Sequence, residues 1–340
     1  MVERFIREVI PAVDGGRRLS TDSSGHHALI RQAATKRGLS IKVIDRTTFF
    51  YDGPLAVGGM TGWVPSLVTR EATAACRSKD RTKTMLTAAG VPTPAGIVVD
   101  REQFDEARAH VRASTKPQVL KPTDASAGAG ITCGITDGDA LRAAWETARA
   151  VAKPRTKFVL EDLVEGVDIR AFVVGGRVVA ASTRINPHVV GDGRQSIAEL
   201  VDEKLRWRAH NAYLTKYPLI VDETLLARTG RTIHDVPAGG EVVVLNSVSN
   251  VGVGGETVDV TDLVHRDLRA LAVEATRAIP GLGVAGIDLM TPDIASADRA
   301  VVLEANVGAN IRVHTCPAYG RPRNPAGAII DEMIATASRP

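Results

Sequence analysis

Three segments with distinct chemistry follow one another in a fixed order along this chain. A Val-Leu strand runs into Lys121 and then into a loop of small residues that ends at Gly130. An acidic strand end follows at residues 159–163, and two carboxylate-bearing strands come near the C-terminus, at residues 286–288 and 303–306. A lysine and a small-residue loop suit phosphates, and carboxylates are hard oxygen ligands for magnesium. The ordered set therefore predicts a magnesium–nucleotide site.

The size and composition of the chain argue against several other classes of protein. Its 340 residues, 44% hydrophobic and 24% charged, suit a soluble globular protein with two or three packed subdomains. The low aromatic content of 4% and the net charge of +3, without a long basic run, argue against a nucleic-acid partner. No apolar stretch reaches the roughly 18 residues of a membrane-spanning helix, so no membrane association is predicted.

The N-terminus and the cysteines favour a cytoplasmic location. Residues 1–4 lack the layout of a signal peptide, which has a basic start followed by an apolar core. The cysteines are odd in number and far apart, which fits neither a disulfide framework nor a metal-ligand spacing; they are Cys76, Cys133 and Cys316. A reducing compartment is therefore the expectation.

The order of helix and strand patterns predicts a mixed α+β and α/β chain with four regions. Residues 1–77 form an N-terminal α/β domain that includes a turn-rich stretch around residues 53–62. Residues 78–117 link it to a lid subdomain at 118–183, in which Gly175-Gly176 is a hairpin turn. Residues 184–340 form a C-terminal subdomain with an insertion at about 205–260. The predicted helices are 26–38, 78–89, 101–113, 139–151, 196–217, 262–279 and 325–337.

Lys121 and the loop after it have two interpretations. The small residues let backbone N–H groups close over phosphate oxygens, and the lysine adds a point charge. The alternative is a solvated lysine beside a flexible turn. The loop is not a P-loop, because no Gly-Lys-Ser/Thr closes it, and no G-x-G-x-x-G opens a helix here.

Asp288, Glu304 and Asn306 are the predicted magnesium ligands. Glu304 and Asn306 are two residues apart, so a strand directs both side chains to one face. Glu304 follows an apolar run directly, and burying an unpaired charge there would be costly. The alternative, two surface acids at strand edges, is less favoured for that reason.

Arg184 and Arg312 are candidates for binding a phosphate or a carboxylate. Arg184 follows an apolar strand, and Arg312 lies six residues after Asn306. A guanidinium in such a place clamps a γ-phosphate, an acyl phosphate or a substrate carboxylate, or else forms a salt bridge to a surface acid. A lone histidine is more often packed than catalytic, so neither His188 nor His314 is assigned as a general base.

Several strings together resemble the ATP-grasp superfamily, and within it the cyanophycin-synthetase and bifunctional glutathione-synthetase branch. The resemblance extends from about Ser78 to Asp331. The strings that carry it are residues 79–83, 89–92, 119–122, 160–170, 188–193, 236–243, 259–262, 312–314 and 320–324. The resemblance implies an ATP-grasp fold with an N-terminal α/β pre-ATP-grasp domain, a central lid subdomain and a C-terminal catalytic subdomain.

The resemblance also implies roles for individual residues. The phosphates of ATP would contact Lys83, Lys121 and the loop residue Ser126. Adenine would lie at a hinge formed by Glu161, Asp162, Leu163 and Val164, and ribose would contact Asp168. Arg184 and Arg312 would act around the reacting phosphate and acyl group, as catalytic residues. The substrate-facing positions would be His188, Asn250, Gly254, Gly255 and Arg312.

The reaction implied is ADP-forming carboxylate–amine ligation between amino-acid-like substrates through an acyl phosphate. The cofactors implied are ATP and Mg²⁺, with Mn²⁺ as a substitute, and the partners are a small carboxylate, a small amine and a second copy of the chain in a homodimer. Two alternatives stay open. One is an ATP-grasp enzyme that uses another nucleophile or closes a ring, and the other is a nucleotide-binding protein without turnover.

The chain departs from the family pattern at two places. Relatives carry Gly, Asn and Arg where this loop has Ala125, Ser126 and Ala129, so one loop cation is missing. After Asn306, relatives read Ala-Pro-Gly, whereas this chain has Gly308-Ala309-Asn310. The first difference predicts a greater reliance on Lys83, Lys121 and Arg184, and the second predicts a different acceptor pocket.

Overall fold

Four antiparallel sheets organise the residues that the computed structural model describes, which are 3, 5–13, 22–125 and 128–338. Along the chain these are a four-stranded N-terminal sheet, a four-stranded lid sheet, and a five-stranded central sheet with a two-stranded sheet inserted into its sequence. Helices pack on these sheets, so the fold is α+β, as predicted.

One helix and one sheet form the N-terminal unit. Helix α1 (His26–Thr35) buries Ile30 and Ala34, which lie one turn apart on the same face. The strands follow in the sequence β1-β2-β3-β4, and they are β1 (Ser40–Ile44), β2 (Thr47–Asp52), β3 (Leu55–Thr61) and β4 (Val64–Pro65). The predicted helix and strand of this unit are therefore present, with the helix ending three residues early.

The stretch predicted to be rich in turns has its turns at Gly53-Pro54 and at Gly62, but the prediction was wrong for the residues between them, which form strand β3. Gly58 and Gly59 lie inside this strand. A Cβ at Gly58 would come 2.8 Å from Sδ of Met333, and one at Gly59 would come 2.7 Å from the carbonyl oxygen of Thr48. Close packing against the strand, rather than a turn, explains why glycine occurs at both positions.

Two short helices connect the N-terminal unit to the lid, α2 (Arg70–Cys76) and α3 (Lys79–Ala88). Helix α2 begins where the side-chain oxygen of Thr69 accepts a hydrogen bond from the Ala72 N–H. Helix α3 begins at Lys79, whose backbone N–H donates to the carbonyl oxygen of Thr123 at 2.9 Å. This contact joins the start of the helix to the loop after Lys121.

The lid is a four-stranded sheet with its own hydrophobic core. Its elements are β5 (Gly96–Val99), α4 (Phe104–Ala113), β6 (Gln118–Pro122), β7 (Thr132–Ile135), α5 (Gly138–Val151) and β8 (Phe158–Asp162). The strands pair in the order β5-β8-β6-β7. Trp145 on α5 packs edge-on against Phe158 at a centroid distance of 4.8 Å, in the middle of this core.

The limits of the lid differ from the predicted 118–183. Strand β5 lies in the predicted linking region, yet it pairs with β8 and so belongs to the lid sheet. Residues 167–183 pair instead with strands near the C-terminus and belong to the central sheet. Both boundaries are set by pairing between strands that are distant in sequence, and a local sequence pattern does not predict such pairing.

The central sheet contains the strands that hold most of the predicted site. The α-helices and strands that follow the lid are β9 (Val167–Val174), β10 (Arg177–Ile185), β11 (His188–Val190), α6 (Ile197–Arg208), α7 (Glu223–Arg228), β12 (Val242–Val244), β13 (Glu256–Asp259), α8 (Arg266–Arg277), β14 (Val284–Thr291), β15 (Val301–Asn306), α9 (Arg312–Thr315) and α10 (Pro325–Ala337). The strand order of the central sheet is β13-β10-β9-β14-β15. Gly175 and Gly176 join β9 to β10 with φ values of 56° and 73°, which confirms the predicted hairpin turn.

The insertion begins with helix α6 and returns through strand β12, which pairs with β11. Ser196 and Glu199 form a capping box at the start of α6. The helix predicted over 196–217 ends at Arg208 because the side chain of Asn211 accepts hydrogen bonds from the N–H groups of Tyr213 and Leu214 and starts a separate turn.

The long helices are amphipathic or bury a short apolar face. Helix α8 buries Leu268, Leu271, Ala272 and Ala275, which follow the helical repeat. Helix α10 has the predicted bounds of 325–337. Throughout the described ranges, every helix is too short or too polar to traverse a lipid bilayer.

Candidate active site

A row of polar side chains crosses the whole central sheet. Its five members are direct cross-strand partners in the register of the sheet, in the order Asp259, Ser182, Arg170, Asp288 and Glu304. Opposed residues of an antiparallel sheet point to the same face. The sheet therefore presents a line of charged and polar groups on one face, while Ile169, Ala171 and Ile287, which alternate with them, are buried.

Asp288 and Glu304 form a carboxylate pair at the β14–β15 end of this row, as predicted for the metal ligands. The Nδ2 of Asn306 donates to Oε1 of Glu304 at 2.9 Å, so the Asn306 amide is held beside this carboxylate. Burial, and then the charge of Asp288, raise the pKa of Glu304 above its usual range. Two carboxylates that repel one another in a buried place, with an amide oxygen beside them, fit a hard divalent cation.

Asp288, Glu304 and Asn306 alone are too few to complete the coordination of a magnesium ion. Among the described residues no group of three or more His, Cys, Asp or Glu side chains is placed to hold a metal ion. Two carboxylates and one amide are typical of magnesium sites in which phosphate oxygens and water complete the coordination.

Arg170 is a functional candidate that the sequence analysis missed. Its guanidinium donates to both carboxylate oxygens of Asp288. Burial opposes ionisation of Asp288, but Arg170 outweighs burial and holds the pKa of Asp288 below its usual range. Gly286 makes room for this arginine, because a Cβ there would lie 3.0 Å from Cδ of Arg170. The signal was available, since Asp168 and Arg170 interrupt an otherwise apolar strand with a period of two.

Arg184 and Asp168, predicted for separate roles, form an ion pair between β10 and β9. The Nε of Arg184 donates to Oδ2 of Asp168 at 2.9 Å, and a second guanidinium nitrogen contacts the same oxygen. Burial raises the pKa of Asp168 even with Arg184 beside it. The other oxygen of Asp168, Oδ1, is buried and has no hydrogen-bond partner within the described ranges. Along β9, Asp168 lies two residues from Arg170, which is the register partner of Asp288.

Lys83 and Lys121 meet at Glu161 in a cleft between α3, the lid sheet and β15. The Nζ of Lys83 lies 2.7 Å from Oε2 of Glu161, and the Nζ of Lys121 lies 2.5 Å from Oε1. The cleft is also lined by Lys79, Leu86, Thr93, Val159, Val302 and Leu303. A lining that combines apolar side chains with lysines suits a purine with attached phosphates.

The predicted hinge residues 161–164 comprise the end of β8 and the start of its connection to β9. The side chain of Asp162 accepts a hydrogen bond from Gln118 at 2.9 Å, and the Leu163 N–H donates to the carbonyl oxygen of Pro117 at 2.8 Å. Two residues beyond the hinge, Gly166 lies against the backbone of Thr291, where any Cβ would clash. Ser126, also predicted to bind the nucleotide, is outside the described residues.

Of the residues predicted to face the substrates, His188 and the loop 250–255 lie beside a buried carboxylate, Glu256, at the start of β13. Lys204 and Arg208 of α6 lie 3.0 Å and 3.6 Å from Glu256, and Nδ1 of His188 lies 3.9 Å away. Burial opposes ionisation of Glu256, but Lys204 and its neighbours outweigh burial and lower the pKa. His188 is only 2% exposed, so the structure places its ring within this network.

The glycine loop before Glu256 is held by the same network. Arg208 donates to the carbonyl oxygen of Gly254 at 3.0 Å, and Gly254 has a φ of 106°, which favours glycine. The side chain of Asn250 accepts from the Gly252 N–H, and the Gly255 N–H donates to the Asn250 carbonyl oxygen. The predicted loop residues therefore form one ordered turn.

Arg312 and His314 lie on α9, over the same region of the sheet. The guanidinium of Arg312 lies 4.7 Å above the ring of Tyr213 and donates to the carbonyl oxygen of Asp22 at 3.1 Å. The ring of His314 packs edge-on against Phe172 at 5.7 Å. Burial, and then the charge of Arg170, lower the pKa of His314 to about 3. A ring with so low a pKa is a poor general base at neutral pH, in line with the sequence analysis.

Comparisons with known proteins bear on the identity of this arrangement. No family model matches the chain. It is 39% identical to cyanophycin synthetase from Trichormus variabilis over 267 residues, and the aligned region covers 75% of this chain and 29% of that protein. It is 34% identical over 257 residues to the glutathione biosynthesis bifunctional protein GshAB from Enterococcus faecalis, which covers 72% and 34% respectively. The chain thus spans about a third of the length of these relatives.

A solved structure gives the same result for the fold. The crystal structure of a bifunctional glutathione synthetase from Pasteurella multocida matches 92% of this chain and 44% of its own chain, with a TM-score of 0.70 and 26% sequence identity. The chain therefore belongs to the ATP-grasp superfamily, in the branch of the cyanophycin synthetases and bifunctional glutathione synthetases, as the sequence predicted.

Proposed function

We propose that the chain is an ATP-dependent carboxylate–amine ligase that joins two amino-acid-like substrates through an amide bond and releases ADP and phosphate. The observation that carries this proposal is the position of the Asp288–Glu304 pair beside a cleft with three lysines, with arginines on the neighbouring strands. Several cations around two carboxylates suit the transfer of a phosphoryl group to a carboxylate better than they suit catalysis by a single nucleophilic or acid–base side chain. The names of the relatives, which are synthetases, support the same class of reaction.

The nucleotide would lie in the cleft between α3, the lid and β15. Lys83 and Lys121 would leave Glu161 and bind phosphate oxygens, because phosphates carry more charge than the single carboxylate that both lysines now share. Adenine would lie at the hinge residues 161–164, and Asp168 would contact ribose. Asp288, Glu304 and Asn306 would hold Mg²⁺, or Mn²⁺ in its place, which supplies neutralisation of the phosphate charge.

The first chemical step would form an acyl phosphate. A substrate carboxylate oxygen attacks the terminal phosphorus of ATP, and the bond between that phosphorus and the oxygen of ADP breaks. Arg170, Arg184 and Arg312 would orient the acceptor carboxylate and the phosphate, because cations beside the transferring group would stabilise this step. The reaction needs positioning and charge neutralisation and no covalent enzyme intermediate.

The second step would use the amine. Its nitrogen attacks the acyl carbon, the bond from carbon to the phosphate oxygen breaks, and phosphate leaves while the nitrogen loses its proton. Water competes with the amine for the acyl phosphate, so closure of the lid over the cleft would protect the intermediate. The loop 250–255 and the residues around Glu256 would form the amine pocket, because Gly254 and His188 are held there.

The remaining parts of the proposal concern the setting of the enzyme. We propose a cytoplasmic enzyme with small-molecule substrates, without nucleic-acid or membrane partners, that forms a homodimer. Size-exclusion chromatography with light scattering checks the last point, and a monomeric mass at micromolar concentration would contradict it.

The proposed reaction is tested by measuring ADP release across pairs of amino acids, with mass detection of products. A pair that yields ADP and an amide in equal amounts supports the ligase. ADP release with an ester, a thioester or a cyclised amide as the product would instead support an ATP-grasp enzyme with another nucleophile.

A nucleotide-binding protein without turnover is the second candidate. Ala125 and Ala129 favour it, because the loop over the phosphates lacks a cation. Tight binding of ATP with no ADP from any pair of substrates would support this candidate and contradict the ligase.

A further inference from the structure

A cavity of about 170 Å³ lies at the end of β13, away from the cleft proposed for the nucleotide. Its lining consists of Asp259, Asp262, Leu263, Arg321 and Arg323, together with Ala12 and Val13 of the N-terminal segment. The nucleotide cleft, by contrast, has an open volume of only about 10 Å³. Because a cavity of about 150 Å³ can hold a molecule of the size of benzene, the space beside β13 has room for a small organic ligand.

The two arginines of this cavity differ in how firmly they are held. The guanidinium of Arg323 donates to Oδ2 of Asp259 at 2.9 Å and 2.7 Å and to the two oxygens of Asp262 at 3.3 Å and 2.6 Å. The Nη1 of Arg321 lies 3.8 Å from Oδ2 of Asp262, which is longer than a hydrogen bond, and its side chain is 68% exposed. An anion can therefore bind Arg321 at little cost, because an exposed ion pair of this length contributes little to stability.

Asp262 places a negative charge directly beside this arginine. The hydrogen bond from Arg323 holds the pKa of Asp262 below its usual range, so the carboxylate is ionised at neutral pH. The side chain of Asp262 is 59% exposed, so a ligand can reach it. The mouth of the cavity thus presents a cation and an anion side by side. An α-amino acid carries its carboxylate and its ammonium group on one carbon, so its two charges are as close together as those of the protein.

The rest of the lining is apolar, and the cavity is separate from the proposed reaction site. The Leu263 side chain is 37% exposed, and Ala12 and Val13 lie across from it. Asp259 is the far member of the polar row that ends at Glu304, four strand spacings away, which corresponds to roughly 19 Å. A small molecule in this cavity therefore does not reach a phosphate bound beside Glu304.

We propose that the cavity beside β13 is a binding site for a free α-amino acid with an apolar side chain. The carboxylate of the ligand binds Arg321, and its ammonium group binds Asp262. Its side chain packs among Leu263, Ala12 and Val13. The site is additional to the substrate positions proposed above, and the inference does not depend on the ligase reaction.

Calorimetric titration without nucleotide or metal tests the two charged contacts. The probes are L-leucine, 4-methylpentanoate, which lacks the ammonium group, and 3-methylbutylamine, which lacks the carboxylate. Leucine should bind at least about 10-fold more tightly than either analogue, as expected for one charge-assisted contact. Glycine should also bind at least about 10-fold more weakly, because it has no side chain to bury. Equal affinity for leucine and 4-methylpentanoate would overturn the proposal.

Arg321→Gln should weaken leucine binding by about 10-fold, because it removes the cation for the carboxylate. Arg266→Gln is the matched control, since the Arg266 side chain is 89% exposed and lies outside the cavity lining, and it should bind leucine normally. Unchanged affinity in Arg321→Gln would contradict the assignment of that residue. If leucine, valine and phenylalanine all fail to bind the wild-type protein, the proposal is wrong, whereas the ligase proposal is judged separately by ADP release.

Photo-crosslinking of the wild-type protein covers the case in which Arg321→Gln does not fold, and it also locates the ligand. A diazirine analogue of leucine should label peptides that contain residues 259–263 or 321–323, and excess leucine should suppress this labelling. Peptide mass spectrometry identifies the labelled segments. Labelling confined to other segments, such as the loop 250–255, would place the amino acid in the proposed substrate pocket and overturn the separate site.

Discussion

Arg170 and Asp288 are direct cross-strand partners on β9 and β14, and the guanidinium of Arg170 donates to both oxygens of the Asp288 carboxylate. Asp288 in turn faces Glu304 on β15. One arginine therefore serves as the counter-ion at a place where two carboxylates meet. This relationship stabilises the charge of the buried Asp288 carboxylate, which the proposed function assigns to the metal.

Removal of Arg170 should expose the repulsion between the two carboxylates. In Arg170→Met, we expect the free energy of unfolding at pH 7 without metal to fall by about 3–5 kcal/mol, the usual cost of leaving a buried charge without its partner. Urea denaturation followed by circular dichroism measures this loss. Added Mg²⁺ should recover part of it. A change below 1 kcal/mol would show that the ion pair is not the main support of Asp288.

Glu304→Gln should abolish ADP formation and leave the fold intact. The substitution keeps the shape of the side chain and the neighbourhood of Asn306 but removes one of the two charges that would bind the metal. The ADP-release assay and a thermal melt measure the two outcomes. Asp298→Asn, at an exposed loop position before β15, is the matched control and should turn over normally. Wild-type turnover in Glu304→Gln would remove the metal assignment.

Lys121→Ala should raise the ATP concentration needed for half-maximal turnover by roughly 10- to 100-fold, because a charge-assisted contact to phosphate is lost. Glu161 keeps Lys83 as a partner in this variant, so the lid should stay folded. The dependence of initial rate on ATP concentration gives the result. An unaltered dependence would count against Lys121 as a phosphate ligand.

Glu256→Gln should destabilise the insertion. The substitution leaves Lys204 and Arg208 buried without their carboxylate, which costs about 3 kcal/mol or more. Urea denaturation measures the loss, and the KM for the amine should rise because the Gly254 loop depends on Arg208. Glu241→Gln, at a half-buried ion pair with Arg231, should cost less than about 1 kcal/mol and serves as the comparison.

The free energy of unfolding should fall as the pH is lowered from about 6.5 towards 4. Burial, and then the charge of His27, lower the pKa of His26 to about 4 from 6.5. The unfolded chain therefore binds a proton in this window before the folded protein does, and the stability present above pH 6.5 is lost as the pH falls. The loss from this group is on the order of 2 kcal/mol after allowance for partial solvent contact.

His26→Phe tests this origin of the pH dependence, since phenylalanine preserves the stacking that His26 now makes on Trp63 at 4.9 Å. The variant should show a shallower slope of stability against pH between 4 and 6.5. His234→Phe, at an exposed position, should leave the slope unchanged. Identical slopes in His26→Phe and the wild type would assign the effect elsewhere.

Local sequence patterns predicted some elements almost without error. Helix α10 has the predicted bounds, because Asn324 caps its start and Pro325 occupies its first position. The Gly175-Gly176 hairpin is also present, because few residue pairs other than two glycines adopt its backbone so readily. The metal-ligand prediction placed Asp288 and Glu304 on neighbouring strands, and they are register partners.

The parts that sequence patterns missed depend on contacts between distant segments. The sequence does not state that β9 lies beside β14, so the partnership of Arg170 with Asp288 was invisible. Lys79 and Glu256 were missed for the same reason, since their partners lie 225 and 52 positions away, at Glu304 and Lys204. The lid boundary failed because β5 returns to pair with β8.

The close approach of Gly166 to the backbone of Thr291 fixes one end of the short connection between β8 and β9. In this connection, a rotation of the lid would have to bend residues 163–165, while β9 with its acidic and basic residues would stay with the central sheet. In such a motion Lys121 would move with the lid, whereas the oxygens of Asp288 and Glu304 would stay in place on the central sheet. A side chain at position 166 would push the connection away from Thr291, so the lid would lose its fixed anchor on the central sheet.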